Sequence, residues 1–181
     1  MSANPPAVIR AATEADSAAI GRLHVEAWHE TYRGLIPDPV IDGITPADRA
    51  AQWTSGLARG AKGPMVFVAE AEDGSPAGFG AAGPVRDPAF DWDAEIYALY
   101  VLRRHQRSRI GRALLQRLAA ELAARGRRRV GLWVLTGNAP ARAFYERIGG
   151  RNVHRRVDRS EGWACDETAY YWDDLAAALN R

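Results

Sequence analysis

Lysine is almost missing from this chain of 181 residues: Lys62 is alone among 24 basic side chains, and the rest are arginines. Cysteine is as scarce. Cys165 has no partner in the sequence, which excludes an internal disulfide and fits a reducing compartment. Neither sign of charge prevails, since 22 acidic residues leave a net charge of +2, so the overall balance does not argue for a nucleic-acid or membrane partner. Long apolar runs are absent as well: none approaches the roughly twenty residues of a membrane span. The opening stretch MSANPPAVIR lacks the basic and apolar segments of a secretory leader. The four histidines, His24, His29, His105 and His154, keep no ligand spacing with cysteine or carboxylate, so no metal is expected. The expectation is a cytoplasmic chain forming one domain over residues 1–181, with its core over about 7–174, large enough to bury roughly two thirds of its unfolded surface.

Residues 8–11 read as a short strand, followed by Thr13 and Asp16 at capping-box spacing. A helix follows, in which Ile20, Leu23 and Ala27 recur at helical intervals until Gly34 and Pro37 end it. Thr45 and Pro46 open a second helix towards Gly60. Residues 64–85 give two β-rich runs joined at Asp73-Gly74, a hairpin signal, and AEIYALYVL, residues 94–102, reads as a buried strand. Ile110, Leu114, Leu115, Leu118 and Leu122 mark one face of a helix that ends near Gly126. RVGLWVLT is the next strand, NAPARAFYERIG a helix capped by Asn138 with Phe144 and Ile148 in the core, and residues 151–172 hold two further strands. The pattern predicts an α/β (α+β) mixed sheet of six to seven strands flanked by about four helices, without repeats or linkers.

The stretch HQRSRIGRALLQRL, residues 105–118, changes from charged turn to apolar-periodic helix just after a strand. A helix N-terminus in that position is an anion site, because its first N–H groups and its dipole both face the ligand. Such turns favour glycine, yet this one has only Gly111 and carries Arg107, Arg109 and Arg112. Arginine at a helix N-terminus opposes the dipole, so a bound anion is the better explanation for it.

Together with NAPARAFYERIGG downstream, AEIYALYVLRRHQRSRIGRALLQRLAAEL resembles the Gcn5-related N-acetyltransferase (GNAT) superfamily over nearly the whole chain. The superfamily's pyrophosphate loop reads Gln or Arg, two residues, Gly, one residue, then Gly or Ala. Here Gln106 is followed by Arg107, Ser108, Arg109, Ile110 and Gly111, so Arg109 replaces the first glycine; read two residues later, Gly111 and Ala113 fit the glycine positions and Ser108 replaces the Gln or Arg. The resemblance implies acetyl-CoA as cofactor, with phosphate bound by Gln106, Arg107, Ser108, Arg109, Ile110, Gly111 and Arg112. Backbone N–H groups serve there if Arg109 keeps a negative φ and turns its side chain outward or across the ligand, where it adds a charge-assisted contact. The resemblance also implies that Leu99, Tyr100 and Val101 offer backbone groups to the pantetheine arm, and that Asn138 both caps its helix and touches that arm. Tyr145 matches the tyrosine that protonates the departing thiolate. Glu95, eleven residues before Gln106, stands where some members carry a catalytic base, and otherwise pairs with an arginine.

For the acceptor, Trp28 and Tyr32 are four apart on one helix face, while Asp87, Asp91, Asp93 and Glu95 cluster before the central strand. An aromatic wall beside Asp93 and Glu95 suits a cationic amine; the alternative is a core tryptophan beside a solvated acidic loop. Cys165 reads as a small buried hydrophobe, since direct acyl transfer needs no thiol nucleophile. The resemblance thus implies an enzyme that acetylates a primary amine of a small molecule or, second, of a peptide, either a protein N-terminus or a lysine. A homodimer is left open, and neither nucleic acid nor membrane is expected as partner. Two rivals stand: a catalytically weak acyl-CoA-binding or sensing module, and an RNA-binding protein using Arg103 to Arg112 and Arg125 to Arg129, which lacks interleaved aromatics for stacking.

Overall fold

The computed structural model describes residues 7–159 and 163–180, so the first six residues of the opening stretch lie outside it. A seven-stranded sheet carries the fold: β1 (Val8–Ala11), β2 (Met65–Glu70), β3 (Pro76–Gly83), β4 (Ala94–Val101), β5 (Val130–Leu135), β6 (Arg151–Asp158) and β7 (Cys165–Trp172). Their order is β1-β2-β3-β4-β5-β7-β6. Only β4 and β5 are parallel, because the chain between them crosses over through a helix.

Four helices match the expected ones: α1 (Ser17–Tyr32), α3 (Pro46–Leu57), α4 (Ile110–Ala124) and α5 (Ala139–Arg147). Two more, α2 (Asp38–Asp42) and α6 (Leu175–Leu179), escape the sequence reading because five residues are too few to show a period. The Thr13–Asp16 box forms as expected, with the Thr13 N–H donating to Asp16 Oδ2 at 2.7 Å, but it opens a single 3-10 turn ahead of α1.

Helices cover both faces. On one, α4 buries Ile110, Leu114, Leu115, Leu118 and Leu122 against Phe67, Ile96, Val130 and Leu132. Each fully buried leucine removes enough apolar surface from water to contribute about 1.5–3 kcal/mol. On the other face α1 and α3 cover Val66, Val68, Phe79, Ala81 and Ala98 with Ile20, Leu23 and Trp53. The two helices approach closely at Gly21, where a Cβ would come within 2.6 Å of the Pro46 carbonyl oxygen. His24, buried in this layer, accepts from Trp53 Nε1 at 3.2 Å, and burial followed by the Arg49 charge pulls its pKa down to about 3.

One irregularity shapes everything downstream. Between β3 and β4 the register runs Ala81 with Ala98 and then Ala82 with Ile96, so Tyr97 is an extra residue on β4. A β-strand alternates faces, and one inserted residue reverses the alternation. Ala94 and Ile96 accordingly face α4, whereas Ala98 faces α1.

Candidate active site

Pairing between β4 and β5 covers only Ala94–Ile96 against Val130–Leu132. Beyond Ile96 the strands diverge, which leaves the edge of β4 from Tyr97 to Val101 without a paired strand on that side. The gap opens a cavity of about 1070 Å³ whose wall includes Leu99, Tyr100 and Val101 from β4 and Trp133 and Leu135 from β5. At one end the wall is the turn before α4; at the other it is built from α1, the loop after β3, and the β6–β7 pair.

At the turn end the expected residues meet, with three corrections. Gln106, Arg107, Arg109, Ile110, Gly111 and Arg112 all line the cavity, and Gln106 Nε2 donates to the Val101 carbonyl at 3.0 Å. Ser108 does not line it: its hydroxyl donates back to the His105 carbonyl and holds the turn from within. Arg112 is partly spent on the fold, since it donates to the Leu179 carbonyl at 2.6 Å. The third correction concerns Arg109, which takes φ +67° rather than a negative value, and Arg107 has φ +59°. Left-handed residues alternating with right-handed ones turn successive N–H groups to one side, the geometry of an anion-binding nest. The helix ladder starts with the Ala113 N–H donating to the Arg109 carbonyl at 3.0 Å, so the N–H groups of Ile110, Gly111 and Arg112 are left for a ligand. At Gly111 a Cβ would meet nothing nearer than Val101 Cγ2 at 3.7 Å, so the protein's own packing does not require glycine there.

Tyr145 projects from α5 into the middle of the cavity, although only 8% of it is exposed. The rings of Phe144, Tyr170 and Trp172 flank it at 5.4, 5.9 and 6.1 Å, yet its hydroxyl has no hydrogen-bond partner among the described residues. Burial, then the neighbouring Tyr100, pushes the phenol's pKa well above its ordinary value, so it keeps its proton and remains a donor. Phe144, expected in the core, is half-buried and lines the cavity instead. Asn138 does cap α5, accepting from the Ala141 N–H at 3.2 Å, and also stands in the cavity wall.

The acceptor residues divide. Trp28 and Tyr32 reach the cavity as an aromatic wall, 5.1 Å between ring centroids, and both engage the Tyr100 hydroxyl, Trp28 Nε1 at 3.0 Å and the Tyr32 hydroxyl at 3.3 Å. The acidic cluster does not join them. Asp93 accepts from the backbone N–H groups of Arg128 and Arg129 and from the Arg129 guanidinium at 2.9 Å, which lowers its pKa to about 2 and pins the turn before β5. Glu95 is 1% exposed and absent from the cavity wall. Both its oxygens are taken by Arg86: Oε2 by the backbone N–H at 2.9 Å, and Oε1 by Nε at 3.0 Å and by Nη2. Neither carboxylate stands beside Trp28.

The sequence reading missed what replaces them. Arg86, Tyr97, Trp133, Arg156, Cys165 and Glu167 line the cavity away from the turn. They come from five separate segments, and nothing in their spacing announces a meeting. Cys165 is half-exposed to the cavity rather than buried; desolvation followed by Glu167 and other carboxylates pushes its thiol up to about 12, so it stays protonated and is no nucleophile.

A model of the Acetyltransferase (GNAT) family matches residues 21–150. The chain is 34% identical to the uncharacterized N-acetyltransferase YuaI of Bacillus subtilis, over 96% of this chain and 98% of the relative. It is 32% identical to phosphinothricin N-acetyltransferase of Streptomyces viridochromogenes, over 80% and 74%. Among solved structures, yncA from Salmonella typhimurium with its cofactor acetyl-CoA superposes with a TM-score of 0.68 at 25% identity, covering 93% of this chain and 94% of that one.

Proposed function

The chain belongs to the acetyltransferase (GNAT) family, and on that premise we propose that it moves the acetyl group of acetyl-CoA directly to a primary amine of a small molecule. The observation that carries this reading is the divergence of β4 from β5 with the unpaired Tyr145 hydroxyl facing the gap. The residues fit the donor. A nest of N–H groups and the guanidiniums of Arg107 and Arg109 suit a pyrophosphate, and the open Gly111 face lets the ligand approach the backbone. The free edge of β4 at Leu99–Val101 offers strand-like hydrogen bonds to the amides of the arm, and Asn138 stands beside them.

Bound acetyl-CoA supplies the thioester carbonyl and the thiolate leaving group. The chain supplies position and protons. Tyr145 donates its phenolic proton where negative charge appears on sulfur, and its high pKa keeps that proton available until then. Trp28, Tyr32, Tyr97 and Trp133 give the acceptor end an aromatic lining that favours a cation and excludes bulk water.

Both rivals find less support. Arg104 pairs with Glu26 and the Arg103 guanidinium donates to the Glu30 carbonyl, which neutralises one cation of an RNA surface and ties down a second. A sensing module requires no unpaired acid facing the arm. The test is a panel of primary amines, phosphinothricin and peptides with free N-termini among them, incubated with acetyl-CoA while free thiol is followed. Thiol release with one or more small amines supports the reading. Tight CoA binding without release for any amine sinks it in favour of the sensing module, and release with peptides alone moves the acceptor to the second class.

A further inference from the structure

We infer that Glu167, and not Glu95, is the carboxylate that takes the proton of the acceptor's ammonium, an inference that rests on the amine-acetylating reading above. Glu167 lies on β7 opposite Leu135, two positions along from the Trp133–Ala169 pair, and therefore on the Trp133 side of the sheet. Both Glu167 and Trp133 line the acceptor end of the cavity.

The two glutamates differ in what their oxygens do. On Glu95 both are occupied by Arg86, in a site 2% exposed at the side chain. A proton reaches it only after that pairing breaks. On Glu167 the Arg156 guanidinium holds Oε2 alone, through Nε and Nη2 at 2.8 Å each, and Oε1 accepts nothing among the described residues. Arg156 is itself fixed over the Trp133 ring at 4.0 Å, so one oxygen is clamped while the other is left open in a side chain that lines the cavity. The side chain is 18% exposed, which desolvates the carboxylate without sealing it off.

Charged and titratable groups face Glu167 from every side. Arg156 and Asp158 come from β6, Arg86 from the loop after β3, Tyr100 from β4, and Cys165 from its own strand. Desolvation raises its pKa first, Asp158 adds to that, and the two arginines oppose it; the net direction is upward. A base displaced upward from the ordinary glutamate range is better matched to an ammonium near neutral pH.

The ammonium N–H bond breaks and its proton passes to Glu167 Oε1. The freed lone pair forms the C–N bond with the thioester carbonyl carbon, the C–S bond breaks with its electron pair going to sulfur, and Tyr145 protonates the sulfur. Glu167 then returns its proton through solvent to the phenolate of Tyr145, and the second N–H proton, shed by the nitrogen as the tetrahedral adduct collapses to the neutral amide, is released to solvent.

The test compares wild type, Glu167→Gln, Glu167→Ala and Glu95→Gln. In carboxyl-labelled protein, the NMR resonance lost on Glu167→Gln should titrate above the ordinary glutamate value of about 4.3, and a titration at or below that value overturns the inference. In thiol release with an active amine, Glu167→Gln should lose on the order of a hundred- to ten-thousandfold at neutral pH and recover towards wild type as free amine accumulates. Added formate should partly rescue Glu167→Ala. Glu95→Gln should lower the rate by a similar factor at every pH. A Glu167→Gln profile parallel to wild type, with CoA binding intact, overturns the inference while the enzyme reading stands. If wild type releases no thiol with any amine, both fall together.

Discussion

The two ends of the cavity are built in opposite ways. The turn end comes from consecutive residues: Gln106 to Arg112 span one turn and the first turn of α4, and it offers mostly backbone N–H groups. The acceptor end comes from side chains that the sheet order gathers, Trp28 from α1, Arg86 after β3, Trp133 from β5, Arg156 from β6 and Glu167 from β7. Phosphate recognition needs N–H groups in a row, which local geometry supplies; acceptor recognition needs particular side chains, which tertiary pairing supplies. The donor end is therefore fixed by short-range sequence, whereas the acceptor end changes whenever one strand changes a residue.

Tyr145 joins the two ends, and its removal should have the largest effect. Tyr145→Phe takes away one proton and leaves the ring packed, so kcat should fall on the order of ten- to a thousandfold while CoA affinity, measured by calorimetry, stays nearly unchanged. An unchanged kcat would make the residue part of the core and leave the ends unconnected chemically.

Arg109→Ala probes the contiguous end. Losing a hydrogen bond to a charged group should weaken CoA binding by about 1–3 kcal/mol and flatten its salt dependence. Equal affinity and equal salt slope would assign that end to backbone alone. Arg109→Gly sharpens the point, because φ +67° costs a residue with a Cβ about 1–2 kcal/mol. Glycine should raise the urea midpoint, by a stabilisation of about 1 kcal/mol, even as it gives up the guanidinium. A lower midpoint would mean that Arg109 holds the turn through contacts worth more than the strain.

The smallest effect belongs to Asp93, which serves neither end. Its folded pKa lies below its ordinary value, so the stability it contributes is present above about pH 4 and is lost as pH falls towards about 2. Arg129 is 43% exposed at the side chain, and solvent screening reduces the contribution to about 1 kcal/mol. Asp93→Asn should be less stable than wild type at neutral pH and converge with it in acid, as followed by chemical denaturation, with no change in the apparent KM for the amine. A raised KM would return Asp93 to the acceptor end.

Legibility in the sequence follows the same division. The four long helices, the Asp73-Gly74 hairpin and the turn before α4 are local, and residue spacing announces them. Short α2 and α6 leave no period. Asp93 and Glu95 look like partners because they are two apart in one strand start, yet each buried or half-buried carboxylate is claimed by the arginine that tertiary structure brings to it, Arg129 and Arg86. The extra residue Tyr97 is invisible in an apolar run such as EIYALYV, where no polar alternation marks the faces. The left-handed φ of Arg109 was hidden by its identity: the resemblance asked for glycine there, and the backbone kept the glycine conformation under an arginine.

The short seam between β4 and β5 also bears on mechanics. Joined across Ala94–Ile96 and Val130–Leu132 alone, the sheet divides into two plates, β1–β4 and β5-β7-β6, that share a short seam able to serve as a hinge. Flexing about that hinge changes the width of the gap more than it changes any packing within a plate. A ligand strand laid along Leu99–Val101 acts as a wedge in this joint. On the proposed reading, donor binding and the spacing of the opposite wall would be one deformation, and amide exchange along Tyr97–Val101 should slow when the wedge is in place.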